Sequence, residues 1–156
     1  MIEVGIVVGS KSDLPVMEKC AEILTQMGVE SETRVLSAHR APGLMSEWAK
    51  GARERGIKVI IAGAGMAAHL PGAAAAWSTL PVIGVPLVSG ELGGLDSLLA
   101  IVQMPPGVPV ATVAVGEPGA KNAAYLAAEI IGLSRPEVAE KYQQLRDGFV
   151  EAAKAP

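Results

Sequence analysis

Apolar and polar positions along this chain fall into two alternating rhythms. Short runs dense in Val, Ile and Ala occupy residues 2–8, 58–62, 81–86 and 110–115, and a more polar extended segment occupies 30–36. Between them lie longer stretches whose apolar residues recur at helical spacing. The pattern predicts a first strand over Ile2–Val8 and a helix over Asp13–Met27, with Ser12 as its N-cap and Gly28 closing it. A second strand follows over Glu30–Leu36. A helix over Pro42–Arg55 ends at Gly56, with Leu44, Trp48 and Ala52 on its apolar face. Lys58–Ala62 is the third strand, Ala67–Trp77 an alanine-rich helix, and Pro81–Pro86 the fourth strand. A glycine-rich loop leads to a helix over Leu95–Gln103. Then come a fifth strand over Val110–Val115 and helices over Ala120–Ile131 and Arg135–Ala153.

Strands alternating with helices at this spacing mean βαβ units, hence a parallel sheet covered by helices on both faces. The expectation is a three-layer α/β sandwich, flavodoxin-like, with a doubly wound five-stranded sheet and a C-terminal helix. The chain of 156 residues reads as a single domain over 1–156, long enough to bury a core. In such sheets a ligand sits beyond the carboxyl ends of the strands, near the switch in strand order. That rule gathers the ends of strands one, two and three into one crevice.

Composition narrows the possibilities. Hydrophobic residues make up 50% but aromatic residues only 3%, so Ala, Val, Ile and Leu must build the core. The segment from Val59 to Gly90 has no Asp, Glu, Lys or Arg. Glycine and proline nevertheless cut it into pieces suited to covered strands and a helix rather than a membrane span. Net charge is −3, with no basic patch, which argues against nucleic acid as a partner. Cys20 is the only cysteine; it fits a reducing compartment and excludes an intramolecular disulfide. It falls on an apolar helical face, as a small core side chain does. Met1-Ile2-Glu3-Val4-Gly5 runs straight into a strand, and no secretory signal is expected.

The chemistry concentrates at three strand ends. After strand one, Gly9-Ser10-Lys11-Ser12-Asp13 offers backbone N–H groups and hydroxyls at a helix start, which suits an anion and equally suits a simple cap. After strand two comes Ser37-Ala38-His39-Arg40. After strand three, Gly63-Ala64-Gly65-Met66-Ala67-Ala68 loosely matches a dinucleotide loop but lacks its acidic partner, and His69-Leu70-Pro71-Gly72 follows. His39 and His69 are the only histidines. Each reads as a loop residue or as a proton carrier near neutral pH. Without a carboxylate cluster they make a poor metal site. No Gly-x-Ser-x-Gly elbow supports a serine hydrolase. Arg40 fits a phosphate clamp or a plain surface charge. In the glycine-rich loop Asp96 or Ser97 could cap the helix that follows.

Taken together, Gly9–Asp13, Ser37–Arg40, Ala62–Gly65 with Ala67–Gly72, Leu95-Asp96-Ser97-Leu98 and Ile101-Val102-Gln103-Met104-Pro105 resemble the PurE family of purine biosynthesis. The resemblance runs from Val4 to about Gly132. Ala68-His69-Leu70-Pro71-Gly72 is the form found in the bacterial mutase branch, and Arg40 stands where the branch that fixes free CO2 typically has Lys. The resemblance implies conversion of N5-carboxyaminoimidazole ribonucleotide to 4-carboxy-5-aminoimidazole ribonucleotide in IMP biosynthesis. It assigns Ser10, Ser37 and Arg40 to the ribose phosphate region, Asp13 to the ribose hydroxyls and His39 to proton transfer. Gly9, Ser12, Ala38, Ala64, Gly65, His69 and Leu70 complete the expected substrate site. It implies no cofactor and no metal, a small ribonucleotide as the ligand, a homo-octamer in the cytoplasm, and functional coupling to the ATP-dependent synthase of the N5-carboxy compound. Two departures stand out: Met66 replaces the usual Gly, and Glu91 falls where smaller uncharged residues are common. Rival readings are the CO2-dependent carboxylase, a relative acting on a pyridinium mononucleotide in nickel-cofactor assembly, a silent ribonucleotide-binding scaffold, and a flavodoxin-like FMN carrier.

Overall fold

Five segments of the computed structural model, which describes residues 1–154, form strands; four are runs of β-branched or small residues, and the polar edge segment Ser31–Val35 is held by its pairing with the first strand. They are β1 Val4–Val8, β2 Ser31–Val35, β3 Val59–Ala64, β4 Val82–Pro86 and β5 Ala111–Thr112. All pair in parallel, in the order β2-β1-β3-β4-β5. β1 is central to the site end, with Val8 level with Val35 of β2 on one side and Gly63 of β3 on the other. The last two residues of the expected 1–156 domain lie outside the described residues.

The helices are α1 Leu14–Met27, α2 Pro42–Lys50, α3 Leu70–Trp77, α4 Leu95–Val102, α5 Glu117–Gly132 and α6 Pro136–Lys154. Because side chains alternate across a strand, the sheet feeds two cores. Val4, Ile6, Val8, Val59, Ile61, Ile83 and Val85 pack with Met17, Cys20 and Leu24 of α1 and the alanines of α5. Val7, Ile60, Ala62 and Ala64 pack on the other face with Met45, Trp48, Leu70, Ala74 and Ile101. β1, β3 and β4 are buried along their full length, which explains the uncharged stretch from Val59 to Gly90. α1 stops where Gly28 takes φ 77°, its N–H returning to the carbonyls of Leu24 and Thr25, a left-handed close that glycine makes cheaply.

Several boundaries differ from the sequence expectation, each for a local reason. Ser12 does not cap the first helix: Ser10 caps a 3-10 turn over Lys11–Asp13, its side chain accepting from the Ser12 N–H while Asp13 accepts from the Ser10 N–H, and α1 follows directly with Asp13 at its cap position. α2 ends at Lys50 rather than Arg55, because Gly51 closes it and the Arg55 guanidinium bonds the Trp48 carbonyl at 3.0 Å. Its inward face is Met45, Trp48 and Ala49, with Ala52 buried just beyond its end, whereas Leu44 is exposed. The alanine-rich helix starts at Leu70, not Ala67, since Met66 (φ 55°) and Ala68 (φ 40°) are left-handed. The fifth strand shrinks to two residues at an edge, paired only with Ile83 and Gly84. Neither Asp96 nor Ser97 caps α4. Gly94 occupies that position, and buried Ser97 instead bonds the carbonyls of Leu87 and Gly94 at 2.9 Å each.

Candidate functional site

At the carboxyl edge of the sheet a cleft of about 460 Å³ opens between the segments that follow β1, β2 and β3. Gly9, Ser10, Ser12, Asp13, Ser37, Ala38, His39, Arg40, Ala64, Gly65, His69 and Leu70 all line it, so every residue expected at the site stands around one opening. Met66, Ala67, Ala68 and Ser89 line it too. Ser89 was not foreseen, although it follows β4, the next strand in order, and the strand-end rule reaches it. A larger cavity of about 890 Å³ lies at the opposite, amino edge, between the ends of α2 and α3 and the starts of β4 and β5. It holds Arg53, whose guanidinium bonds the Thr79 hydroxyl at 3.1 Å, and no histidine.

The floor begins with the Ser10–Asp13 box. One carboxylate oxygen of Asp13, Oδ2, accepts the Ser10 N–H at 3.1 Å, while Ser10 Oγ accepts the Ser12 N–H at 3.3 Å and its hydroxyl at 3.0 Å. Partial burial raises the Asp13 carboxyl above its ordinary value, opposed by the Ser10 N–H and by Arg40. The same box that starts α1 thus leaves Oδ1 of Asp13 available to ligand hydroxyls.

Arg40 bridges two strand ends. Its Nη2 donates to the Gly9 carbonyl at 2.9 Å, and Ser37 Oγ accepts from its backbone N–H at 3.1 Å. The guanidinium is exposed at the mouth, anchored yet with donors to spare, as a phosphate clamp requires.

His39 and His69 come from opposite sides of β1 and meet. His39 Nε2 and His69 Nδ1 stand 2.6 Å apart, with ring centroids at 4.7 Å and planes at 77°. One of the two nitrogens must donate and the other accept. His69 immediately precedes α3, and its carbonyl accepts the Ala73 N–H at 2.8 Å, so its backbone is fixed by the helix. Where His39 Nε2 is the donor and His69 Nδ1 the acceptor, Nδ1 of His39 stays outside the bond.

The wall after β3 is tightly built. Gly65 has no side chain because a Cβ would stand 2.7 Å from that of Ser89. The Ala68 N–H closes a turn onto the Gly65 carbonyl at 3.1 Å, with Met66 as its first central residue. A positive φ in that place normally calls for glycine, and a left-handed L-residue costs about 1–2 kcal/mol. Outside the cleft, burial pushes the Cys20 thiol up to about 12, so it is no nucleophile. Among the described residues no group of three His, Cys, Asp or Glu could hold a metal ion, and no helix is long and apolar enough to cross a membrane.

Comparison with known proteins follows the same lines. The AIR carboxylase family profile matches residues 3–151. A Vibrio cholerae N5-carboxyaminoimidazole ribonucleotide mutase is 59% identical over 92% of this chain and 89% of its own length. A Pyrococcus abyssi protein of the same name is 58% identical, over 94% of this chain and 83% of its own. The crystal structure of Treponema denticola PurE superposes with a TM-score of 0.88 at 28% identity, covering 98% of this chain and 94% of that one.

Proposed function

The chain belongs to the AIR carboxylase family, and from that premise we propose that it is an N5-carboxyaminoimidazole ribonucleotide mutase of purine biosynthesis. The observation that carries the reading is the convergence of Asp13, Arg40 and the His39–His69 pair on one cleft. Arg40 with the hydroxyls of Ser10 and Ser37 takes the ribose phosphate, Asp13 takes the ribose hydroxyls, and the base lies toward His39.

The reaction moves a carboxyl group from the exocyclic nitrogen to C4 with no net gain or loss of atoms. Protonated His39 gives its proton to the carbamate nitrogen as the N–C bond breaks, and the bonding pair stays on nitrogen. This frees CO2 and an electron-rich aminoimidazole. C4 attacks the CO2 carbon, forming the new C–C bond. Neutral His39 then removes the C4 proton, which restores the aromatic ring and its own charge. One imidazole serves as acid and then base. The sequence of steps uses no metal, nucleotide or redox cofactor. Exclusion of water matters because CO2 that leaves is lost to the reaction.

The wider assignments rest on the family resemblance: a homo-octamer, acting in the cytoplasm and functionally coupled to the ATP-dependent synthase that makes its labile carbamate substrate. Self-association is supported by Leu95, Leu99 and Val102 of α4, which are 59%, 54% and 50% exposed at spacings that share one side of the helix. Sedimentation of the purified protein tests it.

The activity is tested by mixing the protein with N5-carboxyaminoimidazole ribonucleotide, without ATP or added bicarbonate, beside His39→Asn. Formation of the C4-carboxylated product by the parent and none by the variant supports both the reaction and the role of His39. Product only from aminoimidazole ribonucleotide with high bicarbonate would instead make the protein a CO2-dependent carboxylase.

A further inference from the structure

Four serines line the cleft, and the protein itself engages three of them. Ser10 Oγ accepts from the Ser12 N–H and from the Ser12 hydroxyl. Ser37 Oγ accepts from the Arg40 backbone N–H and, at 3.4 Å, from its Nε. The fourth, Ser89, lines the cleft as well, and its hydroxyl has no hydrogen-bond partner among the described residues. Its place is nevertheless fixed. Two residues earlier, the Leu87 N–H donates to the Ala64 carbonyl at 2.9 Å, and the Leu87 carbonyl accepts from buried Ser97 at 2.9 Å. Gly65 stands so close that a Cβ there would lie 2.7 Å from that of Ser89. Directly after Ser89 the chain turns at Gly90, with φ 73°. A held, half-buried hydroxyl that can both donate and accept, with neither capacity spent on protein, points to a ligand atom.

We propose that Ser89 is a specificity-determining residue, whose hydroxyl donates to the carboxylate of the bound ribonucleotide and so favours carboxylated ligands over the uncarboxylated one. The proposal rests on the mutase reading. In the sheet order β2-β1-β3-β4, Arg40 follows β2, Asp13 follows β1, His69 follows β3 and Ser89 follows β4. Ser89 therefore stands three strand spacings, each about 4.8 Å, from the phosphate end, beyond the strand that carries His69. A ligand held by its phosphate at Arg40 and its ribose at Asp13 extends its base in that direction. The carboxyl group leaves the exocyclic nitrogen and arrives at C4, which adjoins the ring carbon bearing that nitrogen. Both positions thus lie on one edge of the ring, and one hydroxyl beside that edge reaches either carboxylate. Val59–Gly90, which supplies the walls after β3 and β4, has no charged side chain. A neutral donor suits the chemistry, because an ion pair would stabilise the carbamate more strongly and so oppose its breakdown.

Titration calorimetry with the C4-carboxylated product and, separately, with aminoimidazole ribonucleotide reads this preference in the parent, Ser89→Ala and Ser89→Cys. The alanine variant removes the hydroxyl, and the cysteine variant fills its space with a weak donor. The parent is expected to bind the carboxylated ligand more tightly. Both variants should lose about tenfold in affinity for that ligand, the lower end for a hydrogen bond to a charged group. Their affinity for aminoimidazole ribonucleotide should stay within about twofold of the parent's. Melting temperatures should match the parent's, since neither change removes a protein contact of the hydroxyl. Equal losses for the two ligands, parent-like affinities in Ser89→Ala, or full recovery in Ser89→Cys would each overturn the proposal. The mutase reading is checked separately, by supplying the parent with N5-carboxyaminoimidazole ribonucleotide. If the C4-carboxylated product forms and the binding preference is absent, the proposal alone fails; if no product forms, the mutase reading falls and the proposal with it.

Discussion

Replacing His69 by two different residues tests whether the meeting of the two imidazoles matters as a hydrogen bond or as a packing contact. In His69→Phe the ring shape is kept and the acceptor at Nδ1 is lost; in His69→Asn the ring is lost, but the amide oxygen hangs from the same γ-carbon position as Nδ1. The His39 Nε2 to His69 Nδ1 distance of 2.6 Å is short. A hydrogen bond has a net worth of about 0.5–1.5 kcal/mol, and the short distance puts this one at the upper end. With tenfold in rate for each 1.36 kcal/mol, His69→Phe should lower kcat about tenfold. KM should hardly move, since Asp13 and Arg40 carry the binding. His69→Asn should stay within about threefold of the parent, because an acceptor still fixes the His39 tautomer. Initial rates over a range of substrate concentrations measure both constants. If His69→Phe matches the parent while His69→Asn fails, the contact is packing; if both match it, the contact plays no part in turnover. Either result refutes the assignment of His69 as the residue that orients His39.

Two further perturbations probe the fold and the floor of the site. Glu3 is 6% exposed and joins Lys58, at 2.7 Å, and Arg135; burial raises its carboxyl, but the two cations outweigh burial and hold it below its ordinary 4.5. A depressed folded-state pKa means stability that is fully present above about pH 4.5 and is lost as pH falls through the lowered value, so Glu3→Gln should cost about 2 kcal/mol at neutral pH, with the difference shrinking below pH 4.5 in urea titrations. Gly9 is the opposite case. No protein atom lies within 4 Å of where its Cβ would stand, so Gly9→Ala should melt with the parent yet raise KM, because its methyl group enters space left for ligand.

The parallel sheet covered on both faces is legible because it follows from repeated βαβ units, and with it the edge of the sheet that carries the site. What the reading missed is local or depends on strand order in three dimensions. Ser12 was preferred over Ser10 as the cap, although Asp13, three residues after Ser10, completes the Ser-x-x-Asp box that the structure uses; the signal was present. Leu44 was set on the buried face, one position from Met45, and one residue is about 100° around a helix. The left-handed turn at Met66 carries no sequence signal at all, since turn chemistry would place glycine or asparagine there. The contact between His39 and His69 joins residues 30 apart and depends on β1 lying between β2 and β3.

That last point explains why the site needs three strand ends rather than two. Neighbouring strands lie about 4.8 Å apart, so the segments after β2 and β3 are separated by two such spacings, with the end of β1 between them. His39 and His69 span this gap side chain to side chain, and Arg40 spans half of it by reaching the Gly9 carbonyl. Between them, β1 is followed by Gly9, which places no side chain in the opening. The open floor at Gly9 and the bridged roof of imidazoles are thus two consequences of one topology. A nucleotide laid along the Ser10–Asp13 turn would be carried toward the only two histidines of the chain. On the proposed reading, the reacting end of the ligand meets His39 because of strand order, and the ion and hydroxyl contacts fix how far along the cleft it lies.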